Sequence, residues 1–227
     1  FFFDQIANRG IEYHALVGNH TTYYTNTNEV NSMNLLLREY NNFNIYEDKC
    51  AELTLGSTKF LMVPWINNSN YEEYTKWALS CNAPILGAHL ELKGFDMMAG
   101  MPNPHGMSAD VFSRFEMVLS GHFHTRSSQG NVTYLGSQME FTWSDYNDKK
   151  YFHIFDTETK EITPVHNPLT MFEKGYYDDG KIKDFEELQD LDYSKFDGKF
   201  VKIIVVNKDN PYWFDSFLDK VHASNPL

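Results

Sequence analysis

Short apolar runs broken by polar turns organise the first half of the chain. The strand-like run at 13–17 ends in Gly18-Asn19-His20, and the run at 84–86 ends in Gly87-Ala88-His89. A further run at 117–119 leads into Gly121-His122-Phe123-His124. Between these runs the apolar period changes. Val30, Met33, Leu36, Leu37 and Tyr40 recur at helical spacing and predict a helix over 29–40, and 71–81 reads the same way. Residues 1–8 read as the end of an amphipathic helix, with Phe2, Phe3 and Ile6 on one face and Gly10 as its stop. The runs 51–55 and 59–64 flank Gly56-Ser57-Thr58, a hairpin signal. Residues 91–105 form a Gly-, Met- and Pro-rich stretch too long to be mere connection, and Ser108 opens a short helix.

From Asn131 onward the apolar period is two. Segments 132–135, 151–155 and 161–165 predict consecutive antiparallel strands. An acidic, apolar-poor stretch at 178–192 then separates a strand at 199–206 and an aromatic-rich helix at 212–221, which suggest a small second module. Strand–helix alternation followed by a β-rich half predicts an α/β protein. Two sheets face to face with helices outside, a four-layer αββα sandwich, is the expected architecture.

Composition narrows the function. With 227 residues, 42% hydrophobic and 16% aromatic, the chain has ample material for a core and is not a disordered segment. A net charge of −12 disfavours tracking a phosphate backbone with the whole surface. It suits a site where bound cations supply positive charge locally. No apolar run approaches the ~18 residues that span a bilayer, and no signal-peptide pattern is present. Cys50 and Cys81 have no ligand-like spacing and read as free buried thiols of a cytoplasmic protein.

The candidate chemistry lies in the Gly-terminated strands. Histidines two apart in extended backbone point to the same side, so His122 and His124 suit two adjacent cations. Open α/β sheets build sites at the carboxyl ends of their strands, which is where Asn19, His20, His89, His122 and His124 fall. Imidazoles with an Asn carbonyl suit Mn²⁺, Fe²⁺ or Zn²⁺ better than Ca²⁺, and the lack of Cys argues against a structural zinc knot. Paired cations about 3.5–4 Å apart are a common device for attack on phosphorus, with a nearby histidine to protonate the leaving oxygen. The other histidines read as packed, looped or helix-terminal: His14, His105, His153, His166 and His222. Met97, Met98, Met101 and Met107 are either an adaptable contact or gap filling. Arg114 and Arg126 flank the Gly-His-x-His strand and are candidate DNA-backbone contacts, with surface ion pairs as the equal alternative.

In order and spacing, Gly18-Asn19-His20, Gly87-Ala88-His89 and Gly121-His122-Phe123-His124 resemble the last three motifs of the calcineurin-like metallophosphoesterases. Gly136-Ser137 and the strand at 151–155 are similar to the SbcD-type DNA double-strand-break repair nucleases, and within them the phage recombination endonuclease subunits. The resemblance covers about 1–170 well and the tail loosely. It implies a nuclease domain over 1–174 and a linker with part of a capping, DNA-guiding module over 175–227. It implies that Asn19, His89 and His122 hold one metal, that His124 holds the other, and that His20 assists the leaving group. Two divalent ions are implied, Mn²⁺ first, with Mg²⁺, Fe²⁺ or Zn²⁺ as alternatives. DNA, an SbcC-type coiled-coil ABC ATPase and a second copy of the chain are the implied partners, in the host cytoplasm if the protein is phage-encoded.

Two departures stand out. Thr21 occupies a position that is usually acidic in the family. The family's earlier Asp-x-His and Gly-Asp motifs have no match, and the chain opens on Phe1-Phe2-Phe3-Asp4 without Met. The expectation is an N-terminally truncated protein that binds one metal weakly and cleaves nothing alone. A small-molecule phosphodiesterase or phosphomonoesterase, and an inactive scaffold of the same fold, are the competing readings.

Overall fold

The computed structural model describes residues 2–98 and 100–227; Phe1, expected in the first helix, and Ala99 lie outside them. The chain divides into two compact units. The first, 1–137 with 150–166, carries α1 (Phe2–Asn8), β1 (Tyr13–Leu16), α2 (Ser32–Leu37), β2 (Phe43–Tyr46), β3 (Ala51–Leu55), β4 (Thr58–Val63) and α3 (Tyr71–Ser80). It continues with β5 (Ile85–His89), β6 (Asp96–Met98), β7 (Met101–Pro102), β8 (Met117–Gly121), β9 (Ser127–Gln129), β10 (Val132–Tyr134), β11 (Lys150–Phe155) and β12 (Ile162–Asn167).

A mixed six-stranded sheet in the order β3-β4-β5-β8-β10-β9 forms its centre. β4, β5, β8 and β10 run parallel, while β3 and β9 run antiparallel at the two edges. The central strands are near-continuous apolar runs, as strands covered on both faces require. Leu61, Val63, Ile85, Leu86 and Val118 are fully buried. Tyr74 and Ala78 of α3 pack into the same core as Phe112 and Phe115.

Several elements differ from the sequence expectation. The strand at 132–135 is not part of an antiparallel series: β10 lies parallel to β8. The intervening β9 (Ser-Ser-Gln) has no apolar alternation to reveal it, yet it reverses the chain through Gly130 at φ +60° and so sets the direction of β10. The helix expected over 29–40 is only α2. Asn31 begins it by accepting the Asn34 N–H at 2.8 Å. Asn28 is instead held in the preceding loop, its amide donating to the Glu47 and Trp65 carbonyls at 2.9 Å each. The long stretch at 91–105 contains the small β6–β7 hairpin. Within it Met101 is exposed, whereas Met97 packs on the core together with Met107. Cys50 and Cys81 are buried and free, and burial pushes the Cys50 thiol up to about 12.

The second unit comprises 138–149 and 167–227. β13 (Phe172–Asp178), which runs across the boundary expected at 174/175, pairs in parallel with β14 (Phe200–Asn207). α4 (Phe185–Asp190) and α5 (Pro211–Ala223) cover a core of Tyr177, Leu188, Tyr193, Phe196, Phe217 and Val221. Asn210 caps α5 by accepting the Trp213 N–H, with Pro211 at the first helical position. No helix among the described residues is long and apolar enough to cross a membrane.

Candidate active site at the strand termini

The predicted segments converge, but not from one sheet. β5 and β8 are neighbours, with His89 paired to Gly121 in register. β1 pairs with β2 in a separate two-stranded sheet. It reaches the site because Trp65, two residues beyond β4, donates its N–H to the Val17 carbonyl at 2.8 Å. That hydrogen bond sets the end of β1 beside the end of β4, and Gly18-Asn19-His20 follows from there.

Asn19 Oδ1 lies 2.9 Å from His89 Nε2 and 3.2 Å from His122 Nδ1. The two imidazoles meet edge to face, with centroids 5.1 Å apart. Trp65 packs on both, at 5.4 Å from His122 and 5.9 Å from His89. Burial, reinforced by the charges of His122 and His20, pushes His89 down to about 3. Burial also lowers His122; His20 and His124 act in the same direction and Glu91 opposes them. Both rings are therefore neutral at ordinary pH, with one lone pair each. His20 is exposed and His124 half-buried. His20 follows Asn19 directly in the chain, and His124 lies two residues beyond His122.

The backbone is shaped to these side chains. His122 holds φ +87°, in the left-handed region that non-glycine residues rarely adopt. Thr21 does not reach toward His20. Its hydroxyl donates to the Gly18 carbonyl at 2.9 Å and accepts the Gly18 N–H at 3.0 Å, closing the turn that presents Asn19. Beyond β5, the Tyr134 hydroxyl donates to the Leu90 carbonyl and accepts the Leu92 N–H, both at 3.0 Å. Ser120 accepts the Leu90 N–H at 2.9 Å. The chain on either side of Glu91 is thus fastened to β8 and β10. The His124 carbonyl accepts from the Ser137 N–H at 3.0 Å and from the buried Lys150 ammonium at 3.1 Å.

The candidate arginines differ in their surroundings. Arg114 precedes β8, at the end of the strand opposite His122; the five-residue strand between them spans roughly 17 Å at ~3.3 Å per residue. Its guanidinium donates to the Ala78 and Ala83 carbonyls and to Cys81 Sγ, and lies over the Phe115 ring. Arg126 is exposed, two residues beyond His124. His105 is exposed in its loop, and His14 pairs with the Tyr46 hydroxyl at 2.8 Å. Trp65 and Glu91 are site residues that the sequence reading passed over. No run or spacing marks Trp65: Val63-Pro64-Trp65 leaves β4 on the same edge from which the Gly-His segments leave β5 and β8, which only the folded sheet reveals.

The donor spacings can be compared with those around a bound cation. Two ligands at about 2.1 Å from a metal on adjacent positions stand about 3 Å apart, and the Asn19–His89 and Asn19–His122 spacings match that. Among the described residues, however, no group of three or more His, Cys, Asp or Glu stands together to hold a metal. The third donor here is an amide oxygen. The spacings of Asn19, His89 and His122 fit one cation.

Fold and site together define a mixed α/β protein with an amide–bis-imidazole cluster at the carboxyl ends of parallel strands. No protein-family model matches the chain. It is 34% identical over 214 residues to exonuclease subunit 1 of Enterobacteria phage T4. That similarity covers 93% of this chain and 60% of the relative, so the chain spans about three fifths of that protein's length.

Proposed function

We propose that the chain is the metal-binding part of a DNA nuclease subunit of the SbcD-like metallophosphoesterase type, with the αββα sandwich of that family. The observation that carries the reading is the placement of Asn19 Oδ1 at 2.9 Å and 3.2 Å from nitrogens of two half-buried imidazoles, one on each of two adjacent parallel strand ends. The named relative, an exonuclease subunit, supports phosphodiester hydrolysis and a multisubunit assembly. In this reading the assembly includes an SbcC-type ATPase and a second copy of the chain, in the host cytoplasm.

Asn19, His89 and His122 would hold one divalent ion, Mn²⁺ by preference, and His124 would contribute to a second. Such an ion lowers the pKa of a bound water and neutralises charge developing on the phosphoryl oxygens. His20, exposed at the rim, protonates the leaving oxygen. The burial that keeps His89 and His122 neutral keeps their lone pairs available. Thr21, hydrogen-bonded back to Gly18, supplies no carboxylate beside His20. Arg126 is the cation assigned to the DNA backbone; Arg114, occupied by Ala78, Ala83 and Cys81, is assigned to anchoring the entry of β8.

Calorimetric titration of this chain with Mn²⁺ tests the metal assignment. One site is expected, lost in N19A and H89A, and two tight sites would overturn it. The protein carrying this sequence is expected to degrade linear duplex DNA with Mn²⁺ far better than bis(4-nitrophenyl) phosphate. The reverse ranking would favour a small-molecule phosphodiesterase, the reading that the net charge of −12 supports.

A further inference from the structure

Beside the imidazole pair lies a cleft of about 470 Å³, within the range of about 300–1,000 Å³ typical of small-ligand sites. Trp65 lines it and also packs against both imidazoles, so the indole is shared by cleft and site. Tyr71, the first residue of α3 and 43% exposed, supplies a second ring. Thr25 and Asn68, both exposed, add neutral hydrogen-bonding groups. Glu91 adds a carboxylate, whose Oε1 accepts from the Asn103 amide at 3.5 Å.

The lining selects the occupant. It contains no Lys or Arg, and its one formal charge is negative, so a phosphate is disfavoured inside. A flat ring with donor groups on its edge is favoured: it stacks on the indole or phenol and its amino group donates to Glu91. A chain of net charge −12 gains little affinity by following phosphates and must find it elsewhere. Stacking of bases on aromatic side chains provides that affinity without regard to sequence.

We propose that this cleft receives one unpaired nucleobase of the strand whose phosphate lies at the imidazole pair. The proposal rests on the nuclease reading and narrows it. A base enters only when it is out of the duplex, so the substrate is single-stranded or frayed where it meets the site.

Fluorescence anisotropy of labelled 12-mers tests this, in Mn²⁺ and with cleavage-resistant phosphorothioate linkages in both probes so that binding is read without cleavage. The probes are dA12 and a 12-mer of abasic sugar-phosphate units. The unsubstituted protein is expected to bind dA12 about tenfold or more tightly than the abasic strand. Y71A is expected to weaken dA12 by about tenfold and leave the abasic strand unchanged; W65A, which also removes the ring packed on both imidazoles, is expected to weaken dA12 at least as much, while W65F keeps most of the affinity. Tyr71 is a surface residue, so Y71A reads the cleft even if W65A unfolds. Equal binding of the two probes by the unsubstituted protein, or equal loss for both probes in Y71A, overturns the base subsite and leaves the nuclease reading standing. Failure of the unsubstituted protein to bind either probe overturns both.

Discussion

Gly18 lies flat against the imidazole of His89. A Cβ at position 18 would stand 2.8 Å from Cε1 and 2.9 Å from Nε2, closer than real contacts allow. On another side, a Cβ at Gly121 would come within 3.2 Å of Nδ1. Gly18 has no positive φ, so its lack of a side chain serves this contact and not the turn. G18A is therefore expected to push the His89 ring off Asn19 and to lower stability by about 1–3 kcal/mol. Urea denaturation and imidazole NMR shifts check this. G121A, whose Cβ would meet Nδ1 at 3.2 Å, a tight contact but a longer one than at Gly18, is expected to be milder; a G18A protein with unchanged His89 resonances would show that the contact yields without consequence.

His122 stores backbone strain. Its φ of +87° costs about 1–3 kcal/mol in a non-glycine residue. H122A and H122G both remove the imidazole, so the difference between them isolates the backbone. H122G is expected to be the more stable of the two by about 1 kcal/mol, the strain relief being partly offset by the larger entropy of unfolded glycine. Thermal melts of the two variants side by side decide it.

Tyr134 joins β10 to the chain beyond His89. Y134F would leave the Leu90 carbonyl and the Leu92 N–H without their hydroxyl partner in a fully buried setting. A loss of about 1–3 kcal/mol is expected in urea, although nothing but one oxygen is removed.

How much of this was legible in the sequence follows from what each residue depends on. Asn19, His89 and His122 announce themselves because a strand, a glycine and a ligand-type side chain are adjacent in the chain. The parallel direction of β10 was hidden because β9 is polar and three residues long, so its role comes from pairing and not from pattern. The short α2 was hidden because Val30, which completes the helical spacing, sits in a loop that Asn28 ties to Glu47 and Trp65. Trp65 was missed for a related reason: its importance comes from Val17, forty-eight positions earlier, which only the folded chain brings to it. The surroundings of Arg114 were equally invisible, since Ala78, Cys81 and Ala83 reach it from another segment.

The second unit carries its own pH dependence. Asp179 accepts the Asn210 N–H at 2.7 Å and the Asn207 amide at 2.9 Å, joining β14 to the start of α5. The Asn210 N–H is the main cause that holds this carboxyl below its ordinary 3.8. A carboxylate lowered on folding stabilises above its unfolded value, and that contribution is lost as pH falls through the folded value. Acid is therefore expected to weaken this unit below about pH 4. D179N should be less stable than the parent at pH 7 and show a shallower acid limb, as read by urea melts at pH 7 and pH 3. A D179N protein with the parent's acid profile would assign that limb to other groups.

β5 and β8 stand third and fourth in a row of six strands, with pairing partners on both sides. Amide protons in such interior strands exchange last, since they open only when the whole sheet opens. His89 and His122 ride at the ends of these two strands, whereas Asn19 arrives on a ribbon of only two. On warming, the amide oxygen should wander before the rings do, leaving a transient pair of imidazoles that still face each other after their third partner has gone.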